Sequence, residues 1–172
     1  MANNNRFFLE SPRLKLTPLT ITELRTLLHS VPEFEQLTGF IYAANDLSSH
    51  LINVFTSQLH KMEETPNDWL WLTFWMILSK ETNQIMGSID FKGCPDSQKT
   101  VEIGYGLGED FRHLGYMKEA CHTLCDYGFS QGLKAITAET DLDNKPSEKV
   151  LTSNGFALTH QTNQSNWWIL KP

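Results

Sequence analysis

The sequence is short of several things, and each shortage removes a class of function. No apolar run approaches the roughly 18 residues that a membrane-spanning helix needs. The opening, Met1 to Arg6, is polar and rich in asparagine where a secretion signal would be basic and then apolar. A soluble chain without a membrane partner is expected, most simply a cytoplasmic one. Cysteine is scarce, three residues in 172, and Cys121 and Cys125 fall four apart on a helix-like stretch where side chains run parallel and bridge poorly. That pattern argues for buried or half-buried free thiols in a reducing compartment. His29, His50, His60, His113, His122 and His160 lack the close spacing of metal ligands, so no metal is expected. There is no basic surplus either. A net charge of -6 argues against nucleic-acid binding as the main task, yet it suits a cationic small molecule or a basic peptide.

Internal repeats and low-complexity linkers are absent too, and 172 residues with 40% hydrophobic content suit one compact domain spanning the chain. Arg13 to Pro18 alternates apolar and polar residues and reads as a strand stopped by proline. Thr20 to Ser30 carries Ile21, Leu24, Leu27 and Leu28 at helical spacing, with Thr20 and Glu23 placed as a capping box. Val31 to Ala44 gives no clear pattern. Ser48 to Met62 predicts a second helix, expected to pack over a cleft. Asp68 to Lys80 is apolar on both alternations and predicts a central strand covered on both faces, its tryptophans packing in the core. Ile85 to Phe91 and Thr100 to Leu107 continue as antiparallel strands, separated by the turn Lys92 to Lys99. Tyr116 to Gln131 predicts a helix, Lys134 to Thr140 a strand, and Lys145 to Ser153 a helix ended by Gly155. Phe156 to Gln161 and Asn166 to Leu170 predict a closing hairpin. The sum is an α/β chain with one parallel crossover, from the Thr100 strand to the Lys134 strand.

Nucleotide motifs are missing as well. Gly104-Tyr105-Gly106-Leu107-Gly108 fails as a dinucleotide fingerprint, because the third glycine would have to stand at Glu109, and no G-x-x-x-x-G-K-[ST] phosphate loop exists. What is present is Arg112-His113-Leu114-Gly115-Tyr116-Met117, a basic, glycine-containing turn between a strand and a helix. Such a turn aims unpaired backbone N–H groups and the positive end of a helix dipole at one point, which makes a phosphate site.

The pattern Arg112-x-x-Gly115-x-Met117, followed by Lys118-Glu119-Ala120, resembles motif A of the GNAT superfamily of acyl-CoA-dependent N-acetyltransferases, usually written [QR]-x-x-G-x-[GA]. Gly-Tyr-Met followed by x-Glu-Ala is similar to its RimJ/RimL-like branch, the ribosomal-protein N-terminal acetyltransferases. Arg13 to Leu19 is similar to that branch's opening strand, and Asn144-x-x-Ser147 with Asn154-Gly155-Phe156 to its motif B. The likeness runs from Pro12 to about Leu170. It implies a GNAT acyl-CoA N-acyltransferase fold, a mixed, mostly antiparallel sheet with one splayed parallel pair, flanked by helices. It further implies acetyl-CoA as co-substrate, with the backbone of Arg112, His113, Leu114, Gly115, Tyr116 and Met117 on its pyrophosphate. Tyr105, Gly106, Leu107 and Asn144 would lie beside the pantetheine, and an N–H near Gly106 or Leu107 would polarise the thioester carbonyl.

The acceptor would be a primary amine, either a peptide N-terminus or a small molecule. Polyamines and aminoglycoside-like drugs are the alternative substrates, and a non-catalytic acyl-CoA-binding domain is the alternative to an enzyme. An ammonium must lose a proton before it attacks. Glu102 is the first base candidate, Glu139 the second and Asp90 the third, each with the plain alternative of a solvated or ion-paired carboxylate. Relatives place a tyrosine acid where this chain has Leu151. Ser147 could donate instead, although helix capping accounts for a serine there equally well, and Tyr105 and Tyr116 are further donors. Many relatives form homodimers, and no interface pattern here decides that.

Overall fold

The computed structural model describes residues 6–172. The polar opening read above, residues 1–5, lies outside them. Among the described residues nine strands form one sheet: β1 (Leu9–Glu10), β2 (Leu14–Pro18), β3 (Ile41–Tyr42), β4 (Phe74–Ser79), β5 (Gln84–Phe91), β6 (Thr100–Leu107), β7 (Ala135–Asp141), β8 (Ala157–Gln161) and β9 (Ser165–Leu170). The order across the sheet is β1-β2-β4-β5-β6-β7-β9-β8, with β3 beside β5. Helices are α1 (Ile21–His29), α2 (Val31–Thr38), α3 (Ser49–Glu64), the single turn α4 (Trp69–Leu72), α5 (Tyr116–Ser130) and α6 (Lys145–Ser153).

Each face of the sheet has its own cover. Leu14, Leu16, Trp75, Ile77, Ile89, Phe91, Val101 and Ile103 pack against Met117, Ala120, Cys121, Leu124 and Cys125, which recur along one side of α5. On the other face Phe74, Met76, Leu78 and Ile85 meet residues of α1, α2 and α3, with Phe55 and Phe74 4.2 Å apart between ring centroids. The α1 capping box forms as expected: Glu23 N donates to Thr20 Oγ1, and Thr20 N to the Glu23 carboxylate.

One unread stretch is resolved, and three expectations need correction. The unpatterned stretch after Ser30 folds into α2 and β3: Ser30 accepts from Glu33 N, Pro32 sits in the first turn where its missing N–H costs nothing, and Gly39 closes the helix at φ 75°. β3 then runs parallel to β5, a second parallel pair beside β6 and β7. The apolar run from Asp68 is not one strand. Its first four apolar residues coil into α4 and the strand begins at Phe74, because a stretch apolar on both alternations carries no period to separate helix from strand. Finally, Cys94 is exposed, unlike the buried Cys121 and Cys125. The tryptophans keep to the core as expected: Trp75 is fully buried, and Trp71 packs on Phe91 at 4.9 Å.

The register of β6 positions the site. On one side it pairs with β5 from Gly87↔Leu107 to Phe91↔Ile103. On the other it pairs with β7 only through Thr100↔Ala135, Val101↔Ile136 and Glu102↔Thr137, after which the two parallel strands part. β7 stays bonded to β9 beyond that point. From Ile103 to Leu107 one edge of β6 therefore lacks a strand partner among the described residues.

Candidate functional site

Glu102 O accepts from Lys92 N, and Gly108 N donates to Met86 O, so the even-numbered residues of this stretch turn their backbone groups toward β5. The two-residue period of a strand then turns Ile103, Tyr105 and Leu107 toward the gap. Their N–H and C=O groups form a ladder for an extended, amide-bearing ligand. At its upper end Arg112 Nε donates to Leu107 O at 3.3 Å.

The gap leads to the start of α5. Gly115 precedes that helix at φ 81°, and no side chain among the described residues caps it. The other helices of eight residues or more are capped by Thr20, Ser30, Ser48 and Asn144. The first backbone bond of α5 is Glu119 N to Gly115 O, which leaves the N–H groups of Tyr116, Met117 and Lys118 at an open end with the positive end of the dipole behind them. His113, at φ 62°, adds a second left-handed residue to the turn. A left-handed non-glycine residue is held by its surroundings, and here a clamp does the holding. The Arg13 guanidinium donates to Leu114 O at 3.0 Å and to Glu119 Oε2 at 2.7 Å, while Arg13 N and Ser11 Oγ both reach Glu119 Oε1 at 2.7 Å. Burial works against the Glu119 charge, but these donors together hold its pKa below the ordinary carboxylate value.

Ladder and helix end meet in one cleft of about 620 Å³. Tyr105, Gly106, Leu107, Arg112, His113, Gly115, Tyr116, Met117 and Asn144 all line it, with Ser147. Leu114 is the exception among the expected cofactor residues, since its side chain is exposed and its carbonyl is held by Arg13. A smaller depression beside it is lined by Arg13, Lys118, Glu119 and His122, and both reach Gly115 and Ser153. α3 lines neither; it packs on α1. Asn144 caps α6 by accepting from Ser147 N at 3.1 Å, so the serine is not the cap. Its hydroxyl instead meets Tyr105 Oη at 2.7 Å across the open strands. Leu151 is fully buried in the core and offers the cleft nothing.

The three carboxylate candidates do not line the cleft. Val101 and Ile103 pack toward α5, so Glu102 projects from the other face, and the same alternation sends Glu139 there beside its partner Ser165. Asp90 shares that face with Glu102, and Lys92 makes an ion pair with Glu102. A Cβ added at Gly104 would meet Lys92 Cε at 3.1 Å and the Asp90 carboxylate at 3.3 Å, whereas one added at Gly106 would meet nothing within 4 Å. The two carboxylates thus flank a strip of β6 without side chains. Burial pushes the Asp90 pKa up to about 7, with Glu102 adding to the shift and Lys92 opposing it. Sequence reasoning ranked Asp90 last, for no pattern in Ser88-Ile89-Asp90 announces that environment.

A strand pair opened into a V, with an unpaired backbone edge running to an uncapped helix end, offers hydrogen bonds to an extended, amide-bearing ligand and a favourable place for an anion at its end. The chain belongs to the GNAT acetyltransferase family: residues 13–157 match the Acetyltransferase (GNAT) domain. It is 34% identical over 96 residues to the uncharacterized N-acetyltransferase YjdG of Bacillus subtilis (strain 168), a match covering 55% of this chain and 57% of that protein. It is 31% identical over 84 residues to the ribosomal-protein-serine acetyltransferase of Escherichia coli (strain K12), covering 48% of this chain and 47% of that one. These matches thus span about half the length of either relative. In fold it is similar to RimL, a ribosomal L7/L12 alpha-N-protein acetyltransferase solved in complex with coenzyme A, with a TM-score of 0.70 and 17% identity over 96% of this chain and 98% of that one.

Proposed function

We propose that this chain is an N-acetyltransferase that moves acetyl from acetyl-CoA to a primary amine by direct attack, with both substrates bound together. The observation that carries this reading is the continuity of the cleft: an unpaired β6 edge at one end and an uncapped α5 N-terminus at the other. Acetyl-CoA, when bound, would supply the activated acyl group, and its pieces would meet these parts in order. The N–H groups at the start of α5, with Arg112 and His113 of the turn, would hold the pyrophosphate. Ile103, Tyr105 and Leu107 on one side and Asn144 on the other would hold the amide-rich arm. Leu107, whose N–H turns into the gap, is the better oxyanion donor than Gly106, whose backbone turns to β5.

The acceptor approaches from the other sheet face, over the bare strip at Gly104 and Gly106. Asp90 and Glu102 there attract a cationic amine and take its proton. Lys92 holds Glu102 in an ion pair, so Asp90, with a pKa near neutrality, is the stronger proton acceptor. Glu139 stands farther along on β7, tied to Ser165. The free cysteines suit a reducing, cytoplasmic setting.

The proposed acceptor, a peptide N-terminus, is supported by the likeness to a ribosomal-protein-serine acetyltransferase and to a ribosomal L7/L12 alpha-N-protein acetyltransferase. Short peptides with a free α-amine should release thiol from acetyl-CoA faster than the same peptides blocked at the N-terminus and carrying lysine. Equal rates, or activity confined to polyamines and aminoglycosides, would move the assignment to a small-molecule acetyltransferase. The Glu119 clamp gives a second expectation. Glu119→Gln should weaken coenzyme A binding by about tenfold through the loosened turn, since a charge-assisted bond of this exposure contributes on the order of 1 kcal/mol. Calorimetric titration measures it, and unchanged affinity would mean the turn holds itself.

A further inference from the structure

The cleft borders a second hollow where α5 and α6 lie side by side, and Gly115, Lys118 and Ser153 line both. Two ammonium groups stand at this junction. Lys118 lies in the first turn of α5, and Lys149 lies on α6 a helical turn before Ser153. Among the described residues neither ammonium makes an ion pair or a hydrogen bond, whereas the nearby Lys145 is held by Glu148. Glu119 is the one carboxylate lining either hollow, and Arg13 neutralises it. A chain of net charge -6 thus keeps uncompensated positive charge at the point where cleft and hollow meet. The two helices are also pinned there. Asn154 Nδ2 donates to Lys118 O at 3.2 Å and to Val150 O at 2.9 Å, which fastens the backbone beneath one lysine to the helix that carries the other.

We propose that Lys118 and Lys149 form a subsite for the 3′-phosphate of coenzyme A, so that the protein selects the 3′-phosphorylated cofactor over its dephospho form. This rests on the acetyltransferase reading above. The backbone N–H groups at the start of α5 meet a pyrophosphate, which both forms carry, and cannot tell the two apart. Past the pyrophosphate lies the nucleoside, whose ribose bears the extra phosphate as a monoester of about -1.5 to -2 charge at neutral pH. A lysine ammonium meets such a group as a compact point charge on a flexible stem, without demanding one geometry. That tolerance suits a contact at the open mouth of a cleft. The donor class narrows accordingly to free coenzyme A thioesters, since an acyl group carried on phosphopantetheine alone brings no such phosphate to the lysines.

The test compares coenzyme A with 3′-dephospho-coenzyme A by calorimetric titration, with no acceptor present. The wild type should bind coenzyme A about tenfold more tightly, as expected for two charge-assisted contacts at an exposed site, and raising the salt should shrink that ratio. Lys118→Ala and Lys149→Ala should each cut the preference to about threefold, and the double variant should bind both forms alike. Lys118→Arg and Lys149→Arg should keep it, because either cation can meet a phosphate. A lysine that only supports the fold would weaken both ligands equally and leave the ratio where it was. Equal affinity of the wild type for the two ligands would overturn the proposal, as would a preference that survives the double substitution. Failure of the wild type to bind either form would instead overturn the acetyltransferase reading and this inference with it.

Discussion

Gly115→Val should raise the Kd for coenzyme A by about 100-fold or more, the loss expected when two or so charge-assisted backbone bonds disappear together. Gly115 stands at φ 81°, a conformation that a β-branched residue adopts only with strain. A Cβ there would sit 3.4 Å from Arg13 Nη2, an ordinary contact, but valine carries two further carbons toward the same guanidinium. The valine chain must therefore rotate the turn, and with it the N–H groups of Tyr116 and Met117. Gly132→Val is the control. It too has a left-handed φ, 93°, yet nothing lies within 4 Å of an added Cβ and it is remote from the cleft. It should lower Tm without changing coenzyme A affinity. Equal loss of binding in both variants would reduce the Gly115 effect to general destabilisation.

Asp90→Asn should lower kcat by about 100-fold or more, within the usual range for loss of a general base, and leave coenzyme A binding intact. Glu102→Gln should have the smaller effect, because Lys92 already neutralises that carboxylate. The pH profile separates the two. With a pKa of about 7, Asp90 is protonated below neutrality and free to accept a proton above it, so wild-type kcat/KM should climb through pH 7. The asparagine variant should lose that limb. Stability moves the opposite way. A carboxyl whose pKa is raised on folding binds its proton more tightly in the folded chain than in the unfolded one. Its penalty therefore grows as pH rises from about 4 to about 7 and levels off above. Asp90→Asn should thus raise Tm by a few degrees at pH 8 and by less at pH 5. A variant less stable at alkaline pH and unchanged in rate would leave Asp90 a structural residue.

What could be read from the chain beforehand was the part governed by local rules. Thr20 with Glu23, the glycine turn at Gly115 and the helix from Tyr116 each declare themselves within a few residues, and the cleft lining now proposed for the cofactor was expected from them. The misread elements lack such signals. α2 begins at a serine and a proline that also suit a loop, and the Trp69 to Leu72 turn hides in an apolar run without period. β3 is two residues long and exists because β5 offers it a partner. The proton chemistry is harder still to read, since it depends on which side chains the sheet brings together. Asp90 meets Glu102 through the β5–β6 register, and Tyr105 meets Ser147 across a gap created by β7 turning away. The serine's alternative as a cap could be removed only by seeing Asn144 take that place.

The central claim is that one cleft binds acetyl-CoA and gives its acetyl group to an amine. The direct measurement is release of free thiol from acetyl-CoA in the presence of the protein and a panel of peptides and small amines, with acetylated product identified by mass. The account predicts thiol and acetylated amine in equal amounts, at a rate that Gly115→Val abolishes. If acetyl-CoA raised the Tm of the protein yet no amine in the panel yielded product, the chain would be an acyl-CoA-binding domain, and the transfer assigned to it would be contradicted.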